Sequence, residues 1–591
     1  MFNNERGQSL LTVMVISLIF TVLGAAIITS ALGGSKRTEI RIGDIELTAE
    51  VERKLNEAIA EFTKTVTDPI AFKLTNAVSP ADISLINSKL INARETLIAK
   101  AKTGTGEPLQ IRDLSTSAAD GFKIDTTNYL SRVYEFSYTL QDGSRKKTVK
   151  KKVFLSPTPS FFNYAAGTGP EGEMLLNGAS EFKGNIYTKK LITENKAQYY
   201  DASSNGKAKS ASTLYPRVNG KALIRSDVNG IANFSDRPAL LSRFDQKSAV
   251  TFQKENDLYI PVNFENTLLQ VIKEVGGTAA SKITENDITN SAKLDQVIKQ
   301  IVTSGSTKCE GQLLNLLNPV IGIPILTDKC PQTIKTINSF AKPADIFSVT
   351  NSLSKHVVAS NFSSIQNNLV FLPHKLTIQT DFSLADKKWM IVHGDLEILA
   401  NSNQPIKLQG NIFVTGNLTI KGNETNASGG AETVEDDTIQ VDSTIYALGG
   451  TTISNTNLSG FDDSQLVVMT KKDLNVSRIN EFTEYSKAER NPLDAFLYTD
   501  AKAELFGVGS IYKINGGIFA EDQLTIHAIR QNSVRQSNKV LQIETPSFQG
   551  QDNQHSRFSV THDPTVLIDQ LDALPRVDQY QIIMGETIIT R

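Results

Sequence analysis

Gln8-Ser9-Leu10-Leu11-Thr12-Val13-Met14-Val15-Ile16-Ser17-Leu18-Ile19-Phe20-Thr21-Val22-Leu23-Gly24-Ala25-Ala26-Ile27-Ile28 decides how this 591-residue chain is organised. No charged residue falls between Arg6 and Lys36. About 20 mostly apolar residues span a bilayer as a helix, so the run predicts a transmembrane helix over 8–34, with the membrane contact at 9–32. A polar segment without proline follows directly, and the pattern continues as an amphipathic helix over 35–67.

Within that second helix, Ile40, Ile42, Ile45, Ala49, Leu55, Ile59, Phe62 and Val66 form a stripe broken only at Glu52. The steps are mostly three or four, which is the repeat of one helical face. Asp68-Pro69 ends the helix, because proline disfavours helical backbone at the residue before it. Two partners suit such a face: the chain's own globular part, or stems of neighbouring subunits.

The rest of the chain has the composition of soluble domains. Charged residues make up 21% and hydrophobic ones 40%, with 61 Lys and Arg against 63 Asp and Glu. The near-zero balance gives no whole-chain electrostatic case for nucleic acid, and the length calls for several domains. The two cysteines, Cys309 and Cys330, are too few for a structural zinc site. They suit a disulfide in an oxidising compartment, or two buried thiols.

Residues 68–156 predict a small α/β segment. Ser79-Pro80 opens a helix, and Val133–Leu140 alternates as a strand before the turn Asp142-Gly143. The return strand carries Arg145, Lys146, Lys147, Lys150, Lys151 and Lys152. That cluster reads as a solvated sheet edge that discourages aggregation, or as a patch for an anionic cell-surface polymer. Ser156-Pro157-Thr158-Pro159 marks a break.

Beyond it, short β-rich runs follow Gly-Asn or Gly-Asp pairs, as at Gly184-Asn185, Gly394-Asp395, Gly410-Asn411 and Gly416-Asn417. Each run is too short to stand alone, and stacking them would bury a continuous core. The pattern predicts a β-solenoid-like part over 157–237 and a second over 346–545, with a β-sandwich as the rival. Between them, 238–345 reads as a mainly helical insertion carrying the cysteine pair, either partner-facing or a cap on an open end. Residues 546–591 read as a C-terminal cap. The fold class expected is therefore α+β multidomain: a long N-terminal helix, then a β-rich ectodomain with a helical insertion.

Catalytic and metal signatures are sparse. The six histidines are scattered singly, without the paired spacing that zinc needs. No phosphate-binding loop and no Gly-x-Ser-x-Gly elbow occurs. Asp462-Asp463 and Glu435-Asp436-Asp437 are the tight acidic groups, and either could offer oxygens to Ca²⁺. The reading assigns no catalytic residue, no cofactor and no metal.

The leader adds a family resemblance. In Met1-Phe2-Asn3-Asn4-Glu5-Arg6-Gly7 the small residue precedes the apolar run, whereas a secretory signal places it after. Arg6-Gly7-Gln8-Ser9-Leu10-Leu11 resembles the N-terminus of PilX-type minor pilins. Ala495–Asp500, Glu504–Ser510 and Gly516–Ala520 resemble the ectodomain of Gram-positive PilX-like proteins. The resemblance implies a leader over 1–7, cut between Gly7 and Gln8 by prepilin peptidase. It also implies a right-handed β-helix-like ectodomain, and as partners other pilin subunits and the pilus assembly platform. Thr12 departs from the pattern, because major pilins carry Glu at that mature position. The function expected is a minor pilin-like protein of the bacterial cell membrane and surface that primes, caps or decorates a fibre. The alternatives are a solenoid-fold enzyme acting on surface polysaccharide and a membrane-anchored scaffold without a fibre. Lys36, Arg37 and Arg41 after the span lean weakly against an external C-terminus.

Overall fold

The computed structural model describes the chain apart from 1–4, 75–79, 103–107, 120–123, 200–206, 255–258, 311–345, 351–355, 401–404, 423–437, 478–492, 539–542, 564–573 and shorter loop stretches. The side chains of 5–10, 80–82, 302–367 and 534–547 also lie outside it. Two compact units result. One comprises 1–73, 79–156 and 582–591; the other comprises 74–78 and 157–581.

The first unit is built on α1 (Glu5–Val66), an unbroken helix of 62 residues. At 1.5 Å per residue it is about 93 Å long. Its second half buries Leu47, Val51, Leu55, Ala58, Phe62 and Val66. Those steps of four and three hold one side of a helix with 3.6 residues per turn. The expected stripe is corrected in its first part. Ile40, Ile42 and Ile45 are 55%, 51% and 69% exposed, because steps of two and three carry them around the helix away from Leu47. Phe62 meets the rings of Tyr134 and Phe136 edge-on, at 5.7 and 5.2 Å. A second helix, α2 (Pro80–Ala101), completes the helical layer.

The sheet of this unit contains β1 (Leu109–Asp113), β2 (Arg132–Asp142) and β3 (Arg145–Ser156), paired antiparallel. Gly143, with φ 61°, makes the turn at the expected Asp142-Gly143 pair. The strand Gln581–Thr590 lies on the other side of β3. The basic strand is therefore interior to its sheet, and the edge-protection reading does not hold. The residues expected as a C-terminal cap divide instead. Gln581–Thr590 joins this sheet, while Phe558–His562 belongs to the second unit's strands.

In the second unit the main sheet is wholly parallel, and its pairings form one closed set. Its strands fall into three stacks, which the chain visits in turn. One column of the first stack runs through Leu369, Met390, Ile412, Ile445, Val468, Leu497 and Ile518. Each residue pairs with its counterpart after the chain has passed through the other stacks. A matching column of the second stack is Leu376, Leu396, Leu418, Thr451, Leu474, Ala503 and Leu524. Nearly all of these are fully buried in one shared core.

The Gly-Asn and Gly-Asp punctuation lies at the corners between stacks. The Asp395 Oδ1 accepts from the Asn417 amide at 2.7 Å, and the Asn417 Oδ1 accepts from the Gly450 amide at 3.0 Å. These side chains satisfy amides where the chain turns away from its ladder. At another corner Gly184, Gly410 and Gly516 have φ of 138°, 120° and 136°, a backbone that side chains resist.

Chain order and stacking order differ. Ile518 pairs with Ala166, Ala166 with Ile186, and Ile186 with Ala222. The strands of 157–254 thus stack on the end of the 346–562 set, not before its start. Strand Ala249–Lys254 closes that end, and it falls inside the region expected as helical insertion. The short helix α3 (Arg237–Leu241) sends Leu240 into the core beside Phe244. That segment supplies the cover expected of 546–591.

This inverted order explains the helical region. The chain must return from Lys254 to the far end of the stacks before continuing. Helices α4 (Phe264–Gly276), α5 (Glu285–Thr289) and α6 (Ser291–Ser304) occupy that stretch. Successive contacts trace the route over the outer side of the first stack. Tyr259 packs on Tyr187 and Phe519, Phe264 on Tyr498, Glu265 pairs with Lys471, and Asp295 bonds His393. The outer row Phe413, Tyr446, Met469, Tyr498 and Phe519 is consequently buried although it faces away from the core.

Candidate functional site

The apolar half of α1 is the first candidate. Its most apolar window has mean hydropathy 2.7, and none of that window is buried against the protein. Leu11, Met14, Phe20, Ile27 and Leu32 are each more than 60% exposed. Exposed apolar area costs about 25 cal/mol per Å² in water, so a row of this length needs cover. Two hydroxyls of the run bond the helix's own backbone. Thr21 donates to the Ser17 carbonyl and Thr29 to the Ala25 carbonyl, each at 2.7 Å. A helix that bonds its own polar groups meets the requirement of a hydrocarbon environment. The core helix of a soluble domain would be buried, and this window is not.

Gly7 and Gln8 lie within the helical backbone of α1, and their side chains are outside the described residues. Of the cysteines, Cys309 is described only as backbone, in the strand Thr307–Glu310, and Cys330 lies outside the described residues. Their pairing falls outside as well, as do Asp462-Asp463 and Glu435-Asp436-Asp437. Among the described residues no group of three or more His, Cys, Asp or Glu could hold a metal ion. His393 bonds Asp295 and Thr415. His527 accepts from the Gln198 amide at Nδ1 and faces Glu504 through Nε2.

The basic cluster on β3 is partly consumed by structure. The Lys147 Nζ reaches the Asp44 Oδ2 of α1 at 2.9 Å, and Lys150 lies 3.5 Å from Glu135. Arg145 pairs with Asp142 and covers Gly43 of α1, where a Cβ would collide with the guanidinium.

Two buried polar clusters in the second unit have no local sequence signal. In the first, Arg217 donates to the Asp245 Oδ1 through Nε at 3.2 Å and Nη2 at 3.0 Å. Arg530, fully buried, donates to the other Asp245 oxygen at 3.0 Å. The Glu181 Oε2 lies 3.5 Å from Arg217 and 3.9 Å from Arg530. Burial alone would raise the Asp245 carboxyl, but the Lys247 amide and both guanidiniums hold it below the usual range. In the second, Tyr259 and Tyr498 both donate to the Glu521 Oε2 at 3.1 Å. Burial pushes Glu521 up, against those two hydrogen bonds, and neighbouring Asp500 and Asp522 push the same way. Asp500 is raised too, chiefly by burial. Arg530 and Asp245 are 285 residues apart and Tyr259 and Glu521 are 262 apart, so only the stacking order brings them together.

No family model and no curated protein matches this chain. Among solved structures, the competence-associated pilin ComZ from Thermus thermophilus aligns over 82% of this chain and 88% of its own length, at 10% identity and a TM-score of 0.21. A score that low does not establish a shared fold.

Proposed function

We propose that this chain is a membrane-anchored, minor pilin-like surface protein with a structural or adhesive role. The observation that carries the reading is the uncharged run of α1, exposed along its length and continuous with a stem that packs a separate face on a folded unit. The first half of the helix inserts in the bacterial cell membrane through 9–32, and the second half packs on the folded part of its own unit. Prepilin peptidase cuts between Gly7 and Gln8, which leaves the apolar helix on the mature protein. Other pilin subunits and the assembly platform are its partners, and the body sits outside the cell. Thr12, where major pilins carry Glu, suits an accessory subunit of low copy number rather than the repeating one.

In the same reading the three parallel stacks are the three faces of a β-solenoid, and each circuit of the chain adds a strand to them. Most pairings within 368–528 join strands one circuit apart, and parallel crossovers of this kind are right-handed in nearly all proteins. The body is a rigid spacer and contact surface, and no reaction is assigned to it.

The test is mass spectrometry of the mature N-terminus, on protein purified from its own membranes. A terminus at Gln8 that Gly7→Arg abolishes supports the reading. An intact Met1 or Phe2 refutes processing and leaves a signal-anchored scaffold.

A further inference from the structure

We propose that the cavity at the Ala249–Lys254 end of the parallel stacks binds a small anion with an apolar ring face, an acidic sugar of the uronate class. The cavity measures about 460 Å³ and is lined by Leu214, Tyr215, Arg217, Phe244, Asp245 and Lys247. That volume is within the roughly 300–1,000 Å³ of small-molecule sites.

Its charge is arranged for an anion. Both oxygens of Asp245 are occupied from within the protein, one by Arg217 and the Lys247 amide, the other by Arg530. Two carboxylates, Glu181 and Asp245, balance two guanidiniums, Arg217 and Arg530. The exposed ammonium of Lys247 is then the surplus charge at the cavity. Behind the wall, Nε and Nη2 of the buried Arg530 have no hydrogen-bond partner among the described residues. Buried charged donors left so are costly. Glu181 lies 3.9 Å from that Nη2 and offsets its charge, so the excess positive charge at the cavity is that of Lys247. A metal cation finds no free carboxylate there.

The shape selects a ring. Half-buried Tyr215 offers aromatic surface and Leu214 aliphatic surface beside Arg217, with the buried Phe244 behind them. A pyranose places C–H groups on such faces while its carboxylate meets Lys247. Bare phosphate would use the charge and leave the apolar wall in water. The proposal is independent of the membrane anchor, because it rests on the second unit alone.

The test is titration calorimetry of the full chain in detergent micelles, with sodium glucuronate, glucose and inorganic phosphate as probes. Glucuronate is expected to bind saturably with Kd of about 1 mM or tighter, and glucose and phosphate each about tenfold more weakly. Lys247→Glu, a surface change, is expected to weaken glucuronate at least about tenfold. Tyr215→Ala is expected to weaken glucuronate and leave phosphate unchanged. Equal binding of glucose, tighter binding of phosphate, no binding of any probe, or glucuronate binding indifferent to Lys247→Glu would each overturn the proposal.

Discussion

Gly517→Ala is the sharpest test of how the first stack packs against its outer aromatic row. Gly517 pairs with Phe496 in register. A Cβ there would stand 2.6 Å from the Phe496 Cε1 and 2.9 Å from the Tyr164 carbonyl oxygen. The carbonyl is backbone and cannot yield. The ring cannot swing freely either, since Phe496 packs on Phe162 at 5.3 Å, Phe162 on Phe161 at 4.0 Å, and Phe161 on Tyr498 at 4.6 Å. Overpacking of this sort costs about 1–3 kcal/mol. Replacing glycine returns about 0.4–1 kcal/mol through the unfolded chain, so the mid-range net loss is about 1.3 kcal/mol. Trp389, the single tryptophan, is 3% exposed in the same stack and packs on Tyr446. Its fluorescence in a urea titration reports this unit. The midpoint should fall with an unchanged slope, and Phe496→Leu added to Gly517→Ala should recover part of the loss through coupling. A midpoint that stays or rises, or a strictly additive double variant, would show that the ring does not occupy the glycine's space.

Three further outcomes are expected. Phe20→Arg puts a charge in the centre of the apolar run at about 2.5–3.5 kcal/mol on insertion scales; the variant should shift from the membrane pellet to the carbonate-extractable fraction, and unchanged partitioning would argue against insertion. Leu55→Ala should cost about 2–5 kcal/mol and Ile45→Ala less than about 0.5 kcal/mol, read by hydrogen exchange in β2; the reverse order would restore the stripe read from Ile40 and Ile45. Glu521 has its folded pKa raised above the ordinary 4.5, so its contribution to stability is present below about 4.5 and is lost as pH rises through the raised value. Glu521→Gln keeps an acceptor for Tyr259 and Tyr498 and should flatten that decline in a Trp389-monitored stability profile; an identical profile for both proteins would exclude Glu521 as its source.

The long helix was legible because its signal is local. Composition and 3.6-residue spacing are carried by adjacent residues, so the uncharged run, the stem and the end near Pro69 could all be read. The turn at Asp142-Gly143 and the corner pairs from Gly184 to Gly516 were legible for the same reason: each reports backbone geometry or an amide within a few residues. Ile40 and Ile45 misled because a tolerant spacing rule admits residues that drift around the helix, and only packing shows which side meets the sheet.

What the sequence alone determined was the kind of elements and where the chain turns. The tertiary structure decided their order in space. The strands of 157–254 stack on the end of the 346–562 set, Gln581–Thr590 returns to the first unit's sheet, and α4 to α6 become the return path over the aromatic row. The physical reason is that a parallel strand pairs with a strand distant in the chain as readily as with one a single circuit away. Several short apolar runs satisfy the same pairing equally well, so local patterns cannot say which two blocks meet. The contacts that settle it, Ile518 on Ala166 and Arg530 on Asp245, join residues hundreds of positions apart, and their energy exists only once the whole stack has formed.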